Sequence, residues 1–160
     1  MTETSPLPIE DLPSALQPGA RLLGLDVGTK TVGLALSDVT RTVATPYKTL
    51  KRTKFTADAK EIAEIVDKEG VGGLVIGLPL NLDGSEGPRA QSTRAFARNL
   101  AAHVPVPMTF WDERLSTAAV ERHLIEADAS RKRRAEVIDR MAAAYILQGA
   151  LDRLRGLANP

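Results

Sequence analysis

Three acidic residues from distant parts of the 160-residue chain have the types and positions that metal or phosphate chemistry needs: Asp26, Glu113 and Asp139. Asp26 ends the apolar run 21–26 and precedes the glycine-containing turn 27–30, and ligand sites in α/β sheets gather where strands end. Glu113 follows a second apolar run, 106–111, so both acids reach the same edge of a sheet if the two strands are parallel. The alternatives are a turn-forming Asp26 and a Glu113 that is solvated in a loop.

Asp139 belongs to a helical stripe that is otherwise apolar. On a helix it shares one face with Ala143, Ile146, Leu147, Ala150 and Leu154. Such a face packs against the rest of the protein, and a carboxylate there costs free energy unless it is paired or bound to a metal. The stripe therefore predicts a carboxylate aimed at the sheet near the start of the helix. The alternatives are a favourable position in the helix dipole, or an ion pair with Arg140 or Arg114.

The rest of the composition favours oxygen ligands. The chain has no cysteine, and its two histidines, His103 and His123, are too far apart in sequence to suggest a histidine metal site. Carboxylates are the ligands that Mg²⁺ or Mn²⁺ prefers, and two such ions about 4 Å apart can activate a water and stabilise the leaving oxygen of a phosphodiester. The three acids therefore predict metal-dependent phosphodiester hydrolysis, with each acid both catalytic and metal-binding.

Two concentrated basic runs are of the kind that contacts phosphate backbones: residues 48–54, and Arg131, Lys132, Arg133 and Arg134. Lys30 and Arg114 flank the proposed acidic site and are further candidates for phosphate contact. Solvated loops and surface salt bridges explain these cations as well as phosphate binding does. The net charge of +1 indicates nothing about partners.

The chain lacks the segments that would direct it to a membrane. No apolar run is long enough for a transmembrane helix, and the first residues do not have the basic and apolar stretches of a signal peptide. We therefore expect a cytoplasmic protein without a membrane partner.

The elements that must position the acids follow from periodicity and turn residues. Residues 1–20 contain four prolines and predict a loose, flexible tail, and residues 21–157 predict a single domain. The predicted order is βββαβαβαα, a mixed five-stranded α/β sheet flanked by helices. The strands are expected at 21–26, 31–37, 42–50, 73–77 and 106–111, and the helices at 55–69, 88–102, 115–127 and 135–157, with a basic linker at 131–134. Pro46 predicts that the third strand is an edge strand or carries a bulge.

Together, four motifs resemble the YqgF family, also called RuvX, a family of pre-16S rRNA nucleases and Holliday-junction-resolvase-like proteins. The motifs are Leu25-Asp-Val-Gly-Thr-Lys30 with Gly33-Leu-Ala-Leu-Ser-Asp38, Val75-Ile-Gly-Leu-Pro-Leu80 with Asp83-Gly84, Asp112-Glu-Arg-Leu-Ser-Thr117, and Asp139 with Ala142-Ala-Ala-Tyr-Ile-Leu-Gln148. The resemblance spans about residues 21–155. It implies an RNase H-like fold close to RuvC resolvases, an acidic triad of Asp26, Glu113 and Asp139, and a cytoplasmic bacterial protein that matures the 5′ end of 16S rRNA.

The resemblance leaves the substrate and the partners open. The expected partners are pre-rRNA or branched DNA, and ribosomal subunit precursors, for a chain that is a monomer or a homodimer. RuvC-type sites carry a fourth acid one turn after the position of Asp139, and here that position is Ala142. Asp83 is the candidate for a replacement. Three alternatives remain: a junction-cleaving DNA resolvase, a non-catalytic RNA-binding ribosome-assembly factor, and an ATP-binding module of the actin and sugar-kinase type.

Overall fold

The computed structural model describes residues 6–115 and 131–158, and within the last helix it describes the side chains from Met141 onward. The strands are β1 (Arg21–Val27), β2 (Thr31–Ser37), β3 (Ala44–Lys51), β4 (Val71–Leu78) and β5 (Met108–Asp112). The helices are α1 (Leu12–Ala15), α2 (Phe55–Glu69), α3 (Pro88–Ala101) and α4 (Arg131–Ala158), with short 3₁₀ turns at Ile9–Asp11 and Glu113–Leu115. None of the helices in these described ranges is long and apolar enough to cross a membrane.

The five strands form one mixed sheet in the order β3-β2-β1-β4-β5. β1, β2 and β3 are an antiparallel meander, and β4 and β5 add to β1 in parallel. The predicted mixed five-stranded sheet is confirmed. Because β1, β4 and β5 run in the same direction, their carboxyl ends meet at one edge of the sheet, which we call the carboxyl edge. The opposite edge, where these three strands begin, is the amino edge.

Helices cover both faces of the sheet. α2 and α3 bury one face, with Leu25, Ile62 and Phe96 in a shared apolar core. α4 and α1 bury the other face together with Leu22 and Val75. Both faces of the sheet are apolar, so each must be covered by helices.

Gly24 lets α4 lie directly against β1. A Cβ atom at Gly24 would stand 2.8 Å from the Cβ of Leu147 and 3.1 Å from the carbonyl oxygen of Ala143. Only a residue without a side chain permits such a close approach of a helix to a strand. This close approach fixes the point at which α4 crosses the sheet. It thereby also fixes the position of the helix backbone along the sheet.

Contacts near the C-terminus of α4 show how the helix is oriented relative to the two edges of the sheet. Arg153 Nη2 lies 4.0 Å from Glu10 Oε1, and the segment that carries Glu10 is joined to the start of β5 by the Leu7 N–H, which donates to Met108 O at 2.7 Å. The C-terminal part of α4 is therefore at the amino edge. Its N-terminal part is directed toward the carboxyl edge.

Most predicted elements are confirmed, some with small shifts of their ends. α2 ends as expected at Gly70, which adopts a left-handed conformation with φ +66°. β3 is an edge strand, and its register shifts where Leu34 pairs with Lys48 but Ala35 pairs with Pro46. Pro46 thus marks both an edge strand and a bulge. The helix predicted at 115–127 lies outside the described residues, apart from Leu115, which is in a 3₁₀ turn.

Two predictions about irregular segments are wrong. The described part of the predicted flexible tail, 6–20, is packed: α1 places Leu12 in the core with no exposed surface, because this leucine fills space beneath α4. The predicted basic linker 131–134 is helical, since α4 already includes Arg131. Arginine and lysine lose little side-chain freedom in a helix, so a basic run does not stop one.

Candidate active site

Asp26 is the penultimate residue of β1, at the carboxyl edge. Side chains alternate along a strand, so Asp26 projects to the same face as Gly24, the face that α4 covers. It is half-buried and pairs across the hairpin with Gly33. The prediction that Asp26 ends a strand at a ligand-binding edge fits this placement.

Glu113 extends from the end of β5 across the neighbouring strand. A Cβ atom at Gly77 of β4 would stand 2.7 Å from Glu113 Oε1 and 3.1 Å from Glu113 Cγ. The carboxylate therefore occupies the space that a side chain at Gly77 would fill. Ile146 of α4 touches the same space, because its Cδ1 would be 2.6 Å from that Cβ. Glu113 thus lies on the α4 face of the sheet.

The register of the sheet brings Asp26 and Glu113 together. Leu25 of β1 pairs with Ile76 of β4, so Asp26 and Gly77 follow next on adjacent parallel strands. Neighbouring strands lie about 4.8 Å apart. The carboxylate of Glu113, which lies over Gly77, is therefore beside Asp26 on the same face of the same edge.

The structure describes Asp139 only through its backbone, on α4. Asp139 lies one helical turn before Ala143, whose carbonyl oxygen touches Gly24, on the part of α4 directed toward the carboxyl edge. Its side chain lies outside the described residues. Among the side chains that are described, no group of three acids, histidines or cysteines is placed to hold a metal. The assignment of Asp26, Glu113 and Asp139 as metal ligands therefore stays a prediction.

Asp112 and Arg114 form an ion pair on either side of Glu113 in the sequence. Arg114 Nη2 donates to Asp112 Oδ2 at 2.7 Å, and Arg114 Nε lies 3.0 and 3.1 Å from the two carboxylate oxygens. The Arg114 N–H also donates to Asp112 Oδ1 at 2.9 Å, which closes the turn that carries Glu113. Hydrogen bonds from the guanidinium hold the pKa of Asp112 below its usual value. The salt-bridge alternative for Arg114 is thus present in the structure, and phosphate contact stays a prediction.

The loop 81–87 follows β4 at the carboxyl edge and is tied to Arg114. Arg114 Nη1 donates to Leu82 O at 3.1 Å. Asp83, the candidate fourth ligand, accepts hydrogen bonds from Ser85 Oγ at 2.6 Å and Ser85 N at 2.9 Å. These bonds lower the pKa of Asp83. The observed role of its carboxylate is therefore to shape the loop.

The other predicted cations are in three different situations. Lys30 is exposed in the β1–β2 turn, which Arg52 braces by donating from Nη1 to Gly28 O at 2.7 Å. Lys48 of the first basic run is paired with Glu61 at 2.6 Å. The second run, Arg131, Lys132, Arg133 and Arg134, is on the first turn of the described part of α4, and its side chains lie outside the described residues.

Two features that support the site carry only a weak signal in the sequence: a glycine in β4 and an ion pair at the end of β5. Gly77 makes room for Glu113, and a glycine inside an apolar strand does indicate a close approach of another group. The pairing of Asp112 with Arg114 depends on the 3₁₀ turn at Glu113–Leu115, and so short a turn has no periodic signal in the sequence. Trp111, by contrast, is a core residue, because it is only 9% exposed and its ring packs on Gly149 of α4.

Comparison with known proteins identifies relatives along most of the chain. The family model described as "RuvX: Holliday junction resolvase" matches residues 20–153. A protein of Paramagnetospirillum magneticum named "Putative pre-16S rRNA nuclease" is 64% identical over 148 residues, which are 92% of this chain and 96% of that protein. A protein of the same name from Methylocella silvestris is 61% identical over 149 residues, 93% of this chain and 92% of the relative.

Solved structures show the same fold at low sequence identity. Thermus thermophilus RuvC matches with a TM-score of 0.53 and 11% identity, over 86% of this chain and 97% of RuvC. The same organism's RuvC in complex with a Holliday junction substrate matches with a TM-score of 0.52 and 13% identity, over 84% and 96% of the two chains. The fold is therefore RNase H-like, as the sequence resemblance implies.

Proposed function

The chain belongs to the RuvX family and is a nuclease, a hydrolase acting on ester bonds, and on that premise we propose that it cleaves structured RNA, processing the 5′ end of pre-16S rRNA. The observation that carries the proposal is the carboxylate of Glu113 lying over Gly77, beside Asp26, at the carboxyl edge. The proposed setting is the cytoplasm, with ribosomal subunit precursors as partners.

The donor set at this edge fits a divalent cation, and we propose that Asp26, Glu113 and Asp139 hold Mg²⁺ or Mn²⁺. Two half-buried carboxylates, one on β1 and one from the end of β5 that reaches over β4, offer the oxygen ligands that these hard ions prefer. Gly77 leaves the space in which such ligands can converge. When bound, the cation supplies stabilisation for charge on the phosphate oxygens.

The chain's own residues position the reacting phosphate. Asp26 is on the central strand β1, and the turn that carries Glu113 is closed by the bond from Arg114 N to Asp112 Oδ1, so little ordering is needed when the substrate arrives. Lys30, in the turn that follows Asp26, and the cations Arg131, Lys132, Arg133 and Arg134 at the start of α4 are proposed to contact phosphates along the substrate. Such contacts fix register and orientation without reading sequence.

Cleavage of branched DNA is the second candidate, because the matching family model carries the description of a Holliday junction resolvase. The position of the fourth acid in RuvC-type sites is here Ala142, which is 2% exposed. A buried alanine on α4 supplies no ligand. This difference favours RNA over a four-way junction as the substrate.

A cleavage assay across three substrates tests the proposal. Purified protein is given Mg²⁺ or Mn²⁺ with an RNA that carries the 5′ leader of pre-16S rRNA, an unstructured RNA, and a four-way DNA junction, and Asp26→Asn is the inactive control. We expect cleavage of the leader RNA by the wild type and none by the variant. Faster cleavage of the junction would replace the RNA proposal with the resolvase.

Two further outcomes point to the remaining alternatives. RNA binding without cleavage of any substrate would indicate a ribosome-assembly factor. Tight binding in an ATP titration would support the nucleotide-binding module of the actin and sugar-kinase type, which the family match disfavours.

A further inference from the structure

We propose that loop 81–87 is a rigid contact for the nucleic acid substrate, in which Leu82 packs against an unstacked base and Arg114 holds the loop in place. The proposal rests on the proposed function, because it adds a substrate-positioning residue to the same site. It concerns a side chain that no step of the chemistry uses.

The loop is ordered by its own hydrogen bonds. The Asn81 N–H donates to Ser85 O at 2.9 Å, and the Gly84 N–H donates to Asn81 O at 2.8 Å. Asn81 Nδ2 donates to Ser85 Oγ at 3.0 Å, and Asp83 accepts two bonds from Ser85. Gly84 takes φ +88°, a conformation that side chains rarely adopt. The turn therefore has a defined shape.

Arg114 attaches this turn to the active site. Its guanidinium binds Asp112 at the end of β5 and the carbonyl oxygen of Leu82 in the loop. A Cβ atom at Gly84 would stand 3.4 Å from Arg114 Nη1, so the guanidinium also packs on the loop backbone. The residue before Arg114 is Glu113. The position of Leu82 is thus fixed relative to a proposed metal ligand.

Leu82 contributes little to the fold, although its backbone is held. Its side chain is 95% exposed, and Leu115, the residue after Arg114, is 64% exposed. Fixing a loop costs conformational entropy, and an exposed leucine returns no burial energy to offset it. An apolar side chain gains that energy when a partner covers it.

A base is the partner that this position favours. The loop lies at the carboxyl edge, where the scissile phosphate must bind, and Arg114 joins the exposed Leu82 to the turn at the end of β5. Bases that leave their stack expose a flat apolar surface, and proteins cover it with aromatic side chains or, where a flipped base is held, with other apolar side chains. Leu82 matches one base, and Arg114, which is already paired with Asp112, holds that leucine in position.

Leu82→Ala and Val43→Ala form a matched pair for the test. Val43 is also an exposed apolar residue, at 54%, but it precedes β3 at the amino edge. With the RNA substrate that the wild type cleaves, we expect Leu82→Ala to raise KM about five- to tenfold with little change in kcat, Val43→Ala to match the wild type, and Leu82→Phe to restore KM. Equal KM values for all four proteins would overturn the proposal.

The role of Arg114 is tested through its coupling to Leu82. Arg114→Lys keeps the charge but loses the paired contact with Asp112 and the bond to Leu82 O. We expect it to raise KM as well, and the effect of Leu82→Ala to shrink when both changes are combined. Strictly additive effects would show that Arg114 does not hold Leu82 in place.

A binding titration separates this inference from the proposed function. An RNA carrying 2-aminopurine near the cleavage site gains fluorescence when that base leaves its stack, and the measurement needs no cleavage. We expect a gain with the wild type and Val43→Ala but not with Leu82→Ala. If the wild type increases the fluorescence of 2-aminopurine but does not cleave the RNA, only the proposed function would be refuted. A gain that Leu82→Ala keeps, or a defect of this variant seen only with ribosomal particles, would refute the base contact.

Discussion

The amino edge and the carboxyl edge of the sheet both carry acidic residues, but these residues have different roles. At the amino edge, Asp38 accepts hydrogen bonds from the backbone N–H groups of Thr42 and Val43 and from the hydroxyl of Thr40, and Gln148 of α4 bridges Ala44 N and Thr42 O. At the carboxyl edge, Asp26 and Glu113 converge on one face beside an exposed leucine loop. The comparison separates an acid tied into its own loop, which has a structural role, from two acids that different strands bring to one face, which is the arrangement that the proposed metal site requires.

Metal removal is the largest effect that the comparison predicts. The proposed ligands are all carboxylates at the carboxyl edge, and carboxylates engage a phosphate only through a cation or a proton. We expect an excess of a divalent-metal chelator to abolish cleavage and added Mg²⁺ or Mn²⁺ to restore it. Undiminished cleavage in excess chelator would remove the metal from the site.

Adding a methyl group to β4 at each edge tests the site more locally. Gly77→Ala places a Cβ 2.7 Å from Glu113 Oε1, whereas Gly73→Ala, on the same strand and face, meets Leu22 Cδ2 at 2.9 Å and Leu16 Cδ2 at 3.0 Å. These contacted atoms are ends of flexible side chains, so each variant should lose only about 1 kcal/mol of stability.

The activities of the two glycine variants should differ. Gly77→Ala must displace Glu113, so we expect its cleavage rate to fall at least about tenfold. Gly73→Ala should cleave at the wild-type rate, because the residues it crowds are at the amino edge. Thermal melting and initial rates measured on the same samples give both quantities, and equal rates would separate Glu113 from the chemistry.

Neutralising one acid at each edge should change stability in opposite directions. Without metal, Asp26→Asn relieves repulsion between neighbouring carboxylates, and we expect a gain of ~0.5–2 kcal/mol that Mg²⁺ reduces by stabilising the wild type more. Asp38→Asn should destabilise the protein at neutral pH, since it loses a charged acceptor. Melting curves with chelator and with Mg²⁺ decide the signs, and a lower melting temperature for metal-free Asp26→Asn would make it a turn residue.

The pH dependence of the Asp38 contribution follows from the same contacts. Hydrogen bonds from Thr40, Val43 and Thr42 lower the pKa of Asp38 in the folded protein. A depressed folded-state pKa adds stability above the unfolded pKa, near 3.9, and this stability is lost as the pH falls toward the folded-state pKa. Stability measured between about pH 5 and pH 2 should therefore fall less in Asp38→Asn than in the wild type.

The two ends of α4 offer the smallest and most specific contrast. Neutralising Arg131, Lys132, Arg133 and Arg134 should weaken RNA binding and reduce its salt dependence, by about 0.7 to 0.9 in slope for each lost phosphate contact. Arg153 and Arg155, at the other end of α4, are the controls, and glutamine at both should leave the slope unchanged. Equal slopes for the two sets would mean that the first run is only solvated.

Local patterns predict the elements but not the contacts between them. Alternation and helical spacing identify the strands and α2, and a single proline identifies the edge strand. The prolines around Leu12 resemble a tail, because the space that this leucine fills is created by α4, far away in sequence. The basic run at 131–134 resembles a linker, because four consecutive charges lack the apolar spacing of an amphipathic helix. Arginine and lysine nevertheless have a high helix propensity.

For the candidate site, too, the sequence predicts the positions of residues in their elements but not the contacts between elements. The ends of two strands place Asp26 and Glu113 at one edge, provided that the strands are parallel, and they are. The contact of Glu113 with Gly77 depends on the register between strands, and the hold of Arg114 on Leu82 depends on a turn and a loop meeting. Neither has a periodic signal in the sequence.

The bulge at Pro46 has a consequence for self-association. An edge strand exposes unpaired backbone groups that can template the strand of another copy, and this is a common route to aggregation. Pro46 has no N–H to donate, the bulge interrupts the register of β3, and Lys51 is exposed on this strand. These features disfavour growth of the sheet at β3, so we expect two copies that associate to meet through another surface.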